Sequence, residues 1–165
     1  MRPAKPPLPT IGWREWTSLP ELGISQVKPK IDTGARSSSL HARHIEIFQR
    51  DGSDWVRFEV QPVQRRKEPR IVCEAPVLEQ RYVKSSSGHT TRRVVIRTTL
   101  ELAGQSWAID LTLASRDQMG FRMLLGREAV RGRFLVDPAK SYLQSQRPKR
   151  RLKKKQPKGK KPKEE

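Results

Sequence analysis

The residues best suited to chemistry in this chain are Asp32, Thr33 and Gly34, an acidic side chain on a tight turn. Two carboxylates held close together can hydrolyse an amide bond. Because like charges at that distance cannot both ionise readily, one carboxylate activates water, and the other keeps its proton and polarises the carbonyl. The chain contains a single Asp-Thr-Gly. The second carboxylate would therefore come from another copy, which predicts a homodimer.

The neighbours of Asp32 suit this chemistry. Gly34 has no side chain and lets two such loops approach closely. The Thr33 hydroxyl can donate a hydrogen bond across the pair and hold both loops rigid. Ala35 then leads into a Ser-rich turn and an alternating strand. Asp-Thr-Gly also makes an ordinary turn, so the tripeptide by itself leaves a plain surface turn open.

Longer motifs carry a resemblance to a known family. The Ile-Asp-Thr-Gly-Ala turn at residues 31–35, a central hairpin and the Leu-Leu-Gly-Arg at 124–127 resemble retropepsin-type aspartic proteases. The longer strings at residues 30–42 and 83–88 are similar, more narrowly, to a bacterial family named as ATP-dependent zinc proteases and related to the RimB-type proteins. Over residues 11–143 the resemblance implies an all-β, retropepsin-like barrel with one short C-terminal helix, forming a homodimer with Asp32 as the catalytic carboxylate. It also implies association with ATP-grasp glutamate ligases, which glutamylate a ribosomal protein.

The family name raises zinc and ATP, and the residues favour neither. The chain has no Gly-x-x-x-x-Gly-Lys-Ser/Thr phosphate loop and no His-Glu-x-x-His. His41 and His44 are three residues apart, so a single strand would send their rings to opposite faces. His89, Cys73 and scattered carboxylates are the other candidate ligands. We therefore predict no cofactor and no metal site, with a metallohydrolase as a weaker alternative. We expect His41 to be a partly exposed strand residue and Cys73 a packed thiol.

A second motif predicts a lid. In retropepsin-like folds a glycine-bearing hairpin closes over the substrate, and residues 82–90 occupy that place here. Small polar residues suit a mobile lid that excludes water and supplies hydrogen bonds. The resemblance therefore implies substrate contacts from Lys84, Ser85, Ser86, Ser87 and Gly88. A plain hairpin turn is the alternative.

Arg36 departs from the family pattern. Retropepsins commonly carry Asp at this position, paired with the Arg of the late Gly-Arg, which here is Arg127. Two arginines brought together need a nearby anion, supplied by Glu128, another side chain or the substrate. With Lys84 on the lid, Arg36 and Arg127 predict an electropositive cleft that binds acidic or glutamate-rich peptides. The alternative is that these cations are solvated or paired within the chain.

The surrounding elements are predicted to be mostly β. Apolar and polar residues alternate with a period of two, which is typical of strands with one buried face, and Ala103-Gly104 reads as a hairpin connection. This pattern predicts strands at residues 40–47, 56–60, 71–73, 94–102 and 107–113. Short helical turns are predicted near 18–22 and 127–131. Many short strands separated by turns indicate a small barrel or sandwich.

Charge and proline set the limits of the folded part. The chain has 165 residues and a formal net charge of +18, so acidic partners are expected. Residues 1–10 form a Pro-rich lead-in, 11–143 the folded domain, and 144–165 a basic tail that we predict to be disordered. The tail serves either as a solubilising segment or as an RNA or ribosome tether. A single cysteine and the lack of a long apolar run predict a cytoplasmic protein with no membrane partner.

These observations lead to one functional prediction and one alternative. The prediction is an aspartic endopeptidase that hydrolyses amide bonds with Asp32 from each of two chains. The alternative is a non-catalytic binding module that acts as an adaptor for a glutamate ligase or for ribosomal RNA.

Overall fold

The fold is that of a computed structural model, which describes residues 3–84, 87–115 and 120–146. Most of the predicted basic tail lies outside these residues, as do Ser85 and Ser86 of the predicted lid and the side chain of Lys84. Among the described residues, no helix is long and apolar enough to cross a membrane.

Nearly all the regular structure is β, which confirms the predicted fold class. The strands are β1 Thr10–Gly12, β2 Thr17–Leu19, β3 Ile24–Val27, β4 Pro29–Asp32, β5 Ser38–His41, β6 Arg43–Arg50, β7 Ser53–Val60, β8 Ile71–Pro76, β9 Glu79–Lys84, β10 Thr90–Leu102, β11 Gln105–Ala114, β12 Met123–Gly126 and β13 Leu135–Asp137. A 3-10 turn at Pro20–Leu22 and helix α1 at Arg127–Val130 fall where short helical turns were predicted.

In the described part of the chain, three sheets form a nearly closed barrel. The main sheet has the order β3-β2-β10-β11-β5-β12-β4, with β9 paired to β10. A second sheet has the order β6-β7-β8, and β1 pairs with β13 in parallel. The barrel encloses a core of aliphatic side chains with Phe58 and Trp107.

The β10–β11 hairpin is the centre of the main sheet. Its register pairs Leu100 with Trp107 and Val94 with Leu113, so one face of each strand enters the core. The turn holds Ala103 at φ 53° and Gly104 at φ 73°, the left-handed pair that a two-residue hairpin requires. The predicted hairpin connection is confirmed.

One strand prediction was wrong. The alternation at residues 40–47 suggested a single strand, but the chain breaks at Ala42, whose N–H bonds to the carbonyl of Ala114. His44 then takes φ 52°, and the β6–β7 register shifts beside it. This corner moves the chain from the main sheet to the second sheet. It buries His41 at 1% exposure, so the expectation of a partly exposed His41 was also wrong.

A buried carboxylate fastens the C-terminal segment to the start of the barrel. Glu15 is fully buried, and its Oε1 accepts hydrogen bonds from the N–H groups of Gly12 (2.9 Å), Leu143 (2.7 Å) and Gln144 (3.1 Å). Its Oε2 accepts the Ser145 hydroxyl at 2.5 Å. We call residues 140–145 the C-terminal strap; Glu15 holds its last three residues, and Trp13 and Arg14 hold its first three. The strap's hydrogen bonds extend two residues into the predicted tail.

We expect Glu15→Ala to lower the free energy of unfolding by about 3 kcal/mol, because one buried donor and three part-buried donors lose their acceptor at once. Glu15→Gln keeps one oxygen for the three N–H donors and turns an amide toward Ser145, whose hydroxyl can also accept. Its cost should be about 1 kcal/mol. Urea unfolding of the three proteins measures both values. An Ala variant as stable as wild type would show that the strap contributes nothing to folding.

Candidate active site

Asp32 and the late Gly-Arg lie side by side at one end of the main sheet. Asp32 is the last residue of β4, and Gly126, the last residue of β12, is its partner in a parallel register. Strand β12 also pairs with β5 on its other edge. The loop of residues 33–37 therefore crosses the end of β12 as it passes from β4 to β5. Two motifs far apart in sequence form one structural unit.

The turn fixes the Asp32 carboxylate. Its Oδ1 accepts hydrogen bonds from the N–H groups of Gly34 at 2.9 Å and Ala35 at 3.2 Å. Its other oxygen, Oδ2, has no hydrogen-bond partner within the described ranges. Asp32 is half-buried, whereas Thr33 and Gly34 are exposed. A carboxylate held by one oxygen, on a loop that faces outward, can meet a second such loop or a substrate with the other oxygen.

The start of α1 holds the same loop from the opposite side. The N–H of Arg127 donates to the Ala35 carbonyl at 2.8 Å, and the N–H of Glu128 donates to the Arg36 carbonyl at 3.2 Å. The Arg127 guanidinium reaches the Gly34 carbonyl at 3.3 Å. The structure thus brings Arg127 to the Asp32 loop as a support of its backbone.

Gly126 is required by space. A Cβ at this position would lie 2.5 Å from the Ser37 oxygen and 2.9 Å from the Ala35 oxygen, both of which are backbone atoms. Its φ of −82° is open to any residue, so backbone conformation does not explain the glycine. The N–H of Gly126 donates to the buried Ser38 hydroxyl at 3.0 Å, a contact that the sequence signalled only as a Ser-rich turn. The loop and β12 are in direct backbone contact.

Arg36, an exposed residue, lines a cleft of about 690 Å³ that Asp32 does not line. Arg36 forms no ion pair with any residue in the described part of the chain. Glu128, a predicted compensating anion, also lines the cleft, but its carboxylate contacts Arg131 at 3.4 Å. The Arg36 charge is therefore left for solvent or a ligand.

The predicted lid is a β-hairpin made by β9 and β10. Its register runs from Glu79 opposite Val95 to Lys84 opposite Thr90. Ser87 and Gly88 are exposed, and Gly88 has φ 86°, a conformation that favours glycine. Since the tip at residues 85–86 is not described, substrate contacts from the lid stay predictions.

The described residues do not fit a zinc site. Across the ranges that the structure describes, no group of three His, Cys, Asp or Glu side chains is close enough to hold a metal ion. Cys73 is buried, and its thiol donates to the Leu22 carbonyl at 3.3 Å. Burial raises the pKa of Cys73 to about 12, so the thiol stays protonated. Cys73 is a packed thiol, as predicted.

Comparisons with known proteins agree with this geometry. A family model described as the retropepsin-like aspartic endopeptidase RimB matches residues 10–147. A protein of Desulfotalea psychrophila named "Probable alpha-L-glutamate ligase" is 52% identical over 78% of this chain and 28% of its own length. A protein of the same name from Parasynechococcus marenigrum is 54% identical over 80% of this chain and 28% of its own length.

A solved structure extends the likeness to the fold. The crystal structure of a Legionella pneumophila protein of unknown function has a TM-score of 0.69 and 27% identity, and the match covers 83% of this chain and 98% of that one. The chain spans less than a third of the length of the glutamate-ligase relatives. On the family match and these likenesses, the chain belongs to the RimB-like family of retropepsin-like aspartic endopeptidases.

Proposed function

We propose that this protein is an aspartic peptidase whose active site forms between two copies of the chain. The observation that carries the proposal is the state of Asp32: one carboxylate oxygen is fixed by its own loop, and the exposed side of that loop is open to a second copy. Gly126 and Arg127 hold the loop in this position. Because the chain has a single Asp-Thr-Gly, a second carboxylate requires a partner.

The reaction is hydrolysis of an amide bond through a carboxylate dyad. The ionised Asp32 of one copy takes a proton from a water molecule, and the oxygen of that water attacks the carbonyl carbon. The protonated Asp32 of the other copy donates its proton to the carbonyl oxygen. Collapse of the tetrahedral intermediate breaks the C–N bond, and the leaving nitrogen takes up a proton from the dyad. Thr33 and Gly34, exposed in one chain, form the surface on which the two loops meet.

The charge near the site favours an acidic substrate. Arg36 follows the loop without an ion-pair partner among the described residues, and the chain as a whole carries +18. The relatives are named for ligation of glutamate, and this chain corresponds to about 28% of their length. We infer that the preferred substrates are glutamate-rich peptides. We also propose that the protein acts in the cytoplasm.

A pair of isosteric peptides tests this function. We expect the purified protein to cleave an oligoglutamate peptide at least about tenfold faster than an oligoglutamine peptide of equal length. The reason is that the positive charge of Arg36 attracts the glutamate carboxylates and does not attract the neutral glutamine amides. Mass spectrometry of the products measures both rates. Equal rates on the two peptides, unaltered by Arg36→Asp, would contradict the acidic preference.

The second candidate is a binding module that serves as an adaptor for a glutamate ligase or for ribosomal RNA. The names of the relatives and the basic segment at residues 147–165, with eleven Lys or Arg and two Glu, favour it. An adaptor tolerates Asp32→Ala and loses function when residues 147–165 are deleted. A peptidase shows the opposite pattern.

A further inference from the structure

The cleft beside the active-site loop is built from three parts of the fold. Its walls are the end of the 33–37 loop with Arg36, the start of β5, helix α1 with the segment that follows it, and strands β9, β10 and β11. Its volume of about 690 Å³ is within the usual range of ligand sites. The cleft begins four residues after Asp32 in the chain and does not include it.

The charges in the cleft are only partly balanced. Four arginines and two acidic residues line it, namely Arg36, Arg81, Arg97, Arg133, Asp110 and Glu128. Arg97 pairs with Asp110 at 2.8 Å, Arg81 pairs with Glu79, and Glu128 contacts Arg131. Within the described ranges, Arg36 and Arg133 are left with no carboxylate partner.

Arg133 is held in place although it lacks an acidic partner. Its guanidinium stacks over the ring of Trp107 at 4.7 Å and contacts Gln105 Oε1 at 3.5 Å. Trp107 is in turn fixed by a hydrogen bond from its indole N–H to the Ala129 carbonyl at 3.0 Å. Because this guanidinium is already fixed, it loses little further conformational entropy when it binds a carboxylate through two N–H groups.

We propose that this cleft is an exosite that binds a carboxylate-rich stretch of the polypeptide substrate, away from the bond that is cut, through Arg36 and Arg133. The inference rests on the proposed function, because the cleft continues from the loop at which a substrate's bond would lie. Peptide carboxylates suit the two cations better than a nucleic acid does. Single-stranded nucleic acids bind on open aromatic faces, whereas Trp107 is 9% exposed and covered by Arg133.

The test separates binding from cleavage. In a full-length Asp32→Asn background, the affinity for a fluorescein-labelled oligoglutamate peptide is measured by anisotropy. We expect Arg36→Gln with Arg133→Gln to raise its Kd at least about tenfold, since charge-assisted contacts are lost. The matched control is Arg66→Gln with Lys67→Gln, which removes the same charge from the exposed loop between β7 and β8 and should leave the Kd unchanged. Arg36→Gln alone, on an exposed side chain, gives the same direction of change if the double variant fails to fold.

The outcomes distinguish this inference from the proposed function. If wild type cuts no peptide but oligoglutamate binding depends on Arg36 and Arg133, the peptidase fails and the acidic-peptide site stands. An unchanged Kd in both cleft variants would overturn the exosite. Binding of a single-stranded RNA oligonucleotide that is lost in the cleft variants, with oligoglutamate binding retained, would overturn it in favour of RNA. In an active enzyme, the cleft variants should raise KM for a Glu-flanked peptide by a larger factor than KM for a short unflanked peptide.

Discussion

Asp32→Asn should reduce peptide hydrolysis at least about 1,000-fold and leave the chain folded. The side chains have the same shape, and the Asn Oδ1 can still accept the hydrogen bonds from Gly34 and Ala35. An amide can neither take a proton from water nor pass one to the substrate, so the chemistry is lost while the turn persists. The free energy of unfolding should change by less than about 1 kcal/mol. Initial rates on an oligoglutamate peptide and urea unfolding measure the two quantities.

A mixing experiment tests the shared site. When wild type is exchanged with an excess of Asp32→Asn chains, activity should fall beyond simple dilution, because each mixed dimer has one carboxylate. Asp51→Asn is a charge-matched control at the turn between β6 and β7, where its φ of 50° also suits Asn. Peptidase activity that survives in Asp32→Asn would refute the mechanism. Wild-type activity that merely dilutes would refute the cross-subunit dyad.

The sequence predicted the β10–β11 hairpin because its evidence is local. Alternating apolar residues define the buried faces, and Ala103-Gly104 marks the turn. The same alternation misled at residues 40–47, since it continues across the break at Ala42. At this corner the chain passes from the main sheet to the second sheet, but apolar and polar residues continue to alternate with a period of two. The burial of His41 follows from that corner, so the alternation could not predict it.

The strap shows a second limit. Glu15 stands among polar and aromatic residues in a segment that reads as surface, and its donors are up to 130 residues away. A buried carboxylate can be recognised only when the positions of the backbone N–H groups that donate hydrogen bonds to it are known. Likewise, the sequence motif identified Asp32 as a candidate, but the contact between β4 and β12 depends on pairing between distant segments. The family resemblance, which summarises such distant contacts, supplied what local patterns could not.

The charge prediction was limited in a similar way. The sequence placed Arg36 and Arg127 near one loop and expected an anion between them. In the structure the Arg127 guanidinium donates to the Gly34 carbonyl, whereas Arg36 lines a cleft together with Arg133. Arg133 has no motif around it, and its stacking on Trp107 and its contact with Gln105 show that it is a fixed cation. Side-chain direction, which the pattern does not encode, determines where the positive charge is presented.

Gly126→Ala should destabilise the fold by about 2–4 kcal/mol and also reduce activity at least about 100-fold. The added methyl would meet the backbone of Ser37 at 2.5 Å and of Ala35 at 2.9 Å, and neither atom can move without moving the loop. Relief of the clash shifts the residues that hold the Asp32 carboxylate, so stability and catalysis fall together. Urea unfolding and rates at saturating oligoglutamate measure the two effects on one protein preparation.

Gly120→Ala is the matched control. Among the residues that the structure describes, its Cβ would meet only the amide end of the Gln64 side chain at 3.0 Å, which can rotate away. We expect this variant to stay within about 0.5 kcal/mol of wild type and to remain active. If Gly126→Ala behaved in the same way, the loop could move away from β12 at little cost, and the rigid support of Asp32 would be wrong. If Gly126→Ala were stable but inactive, the contact between β12 and the loop would position the Asp32 carboxylate without contributing to the stability of the fold. A shift too small to weaken packing is still enough to misplace a catalytic oxygen.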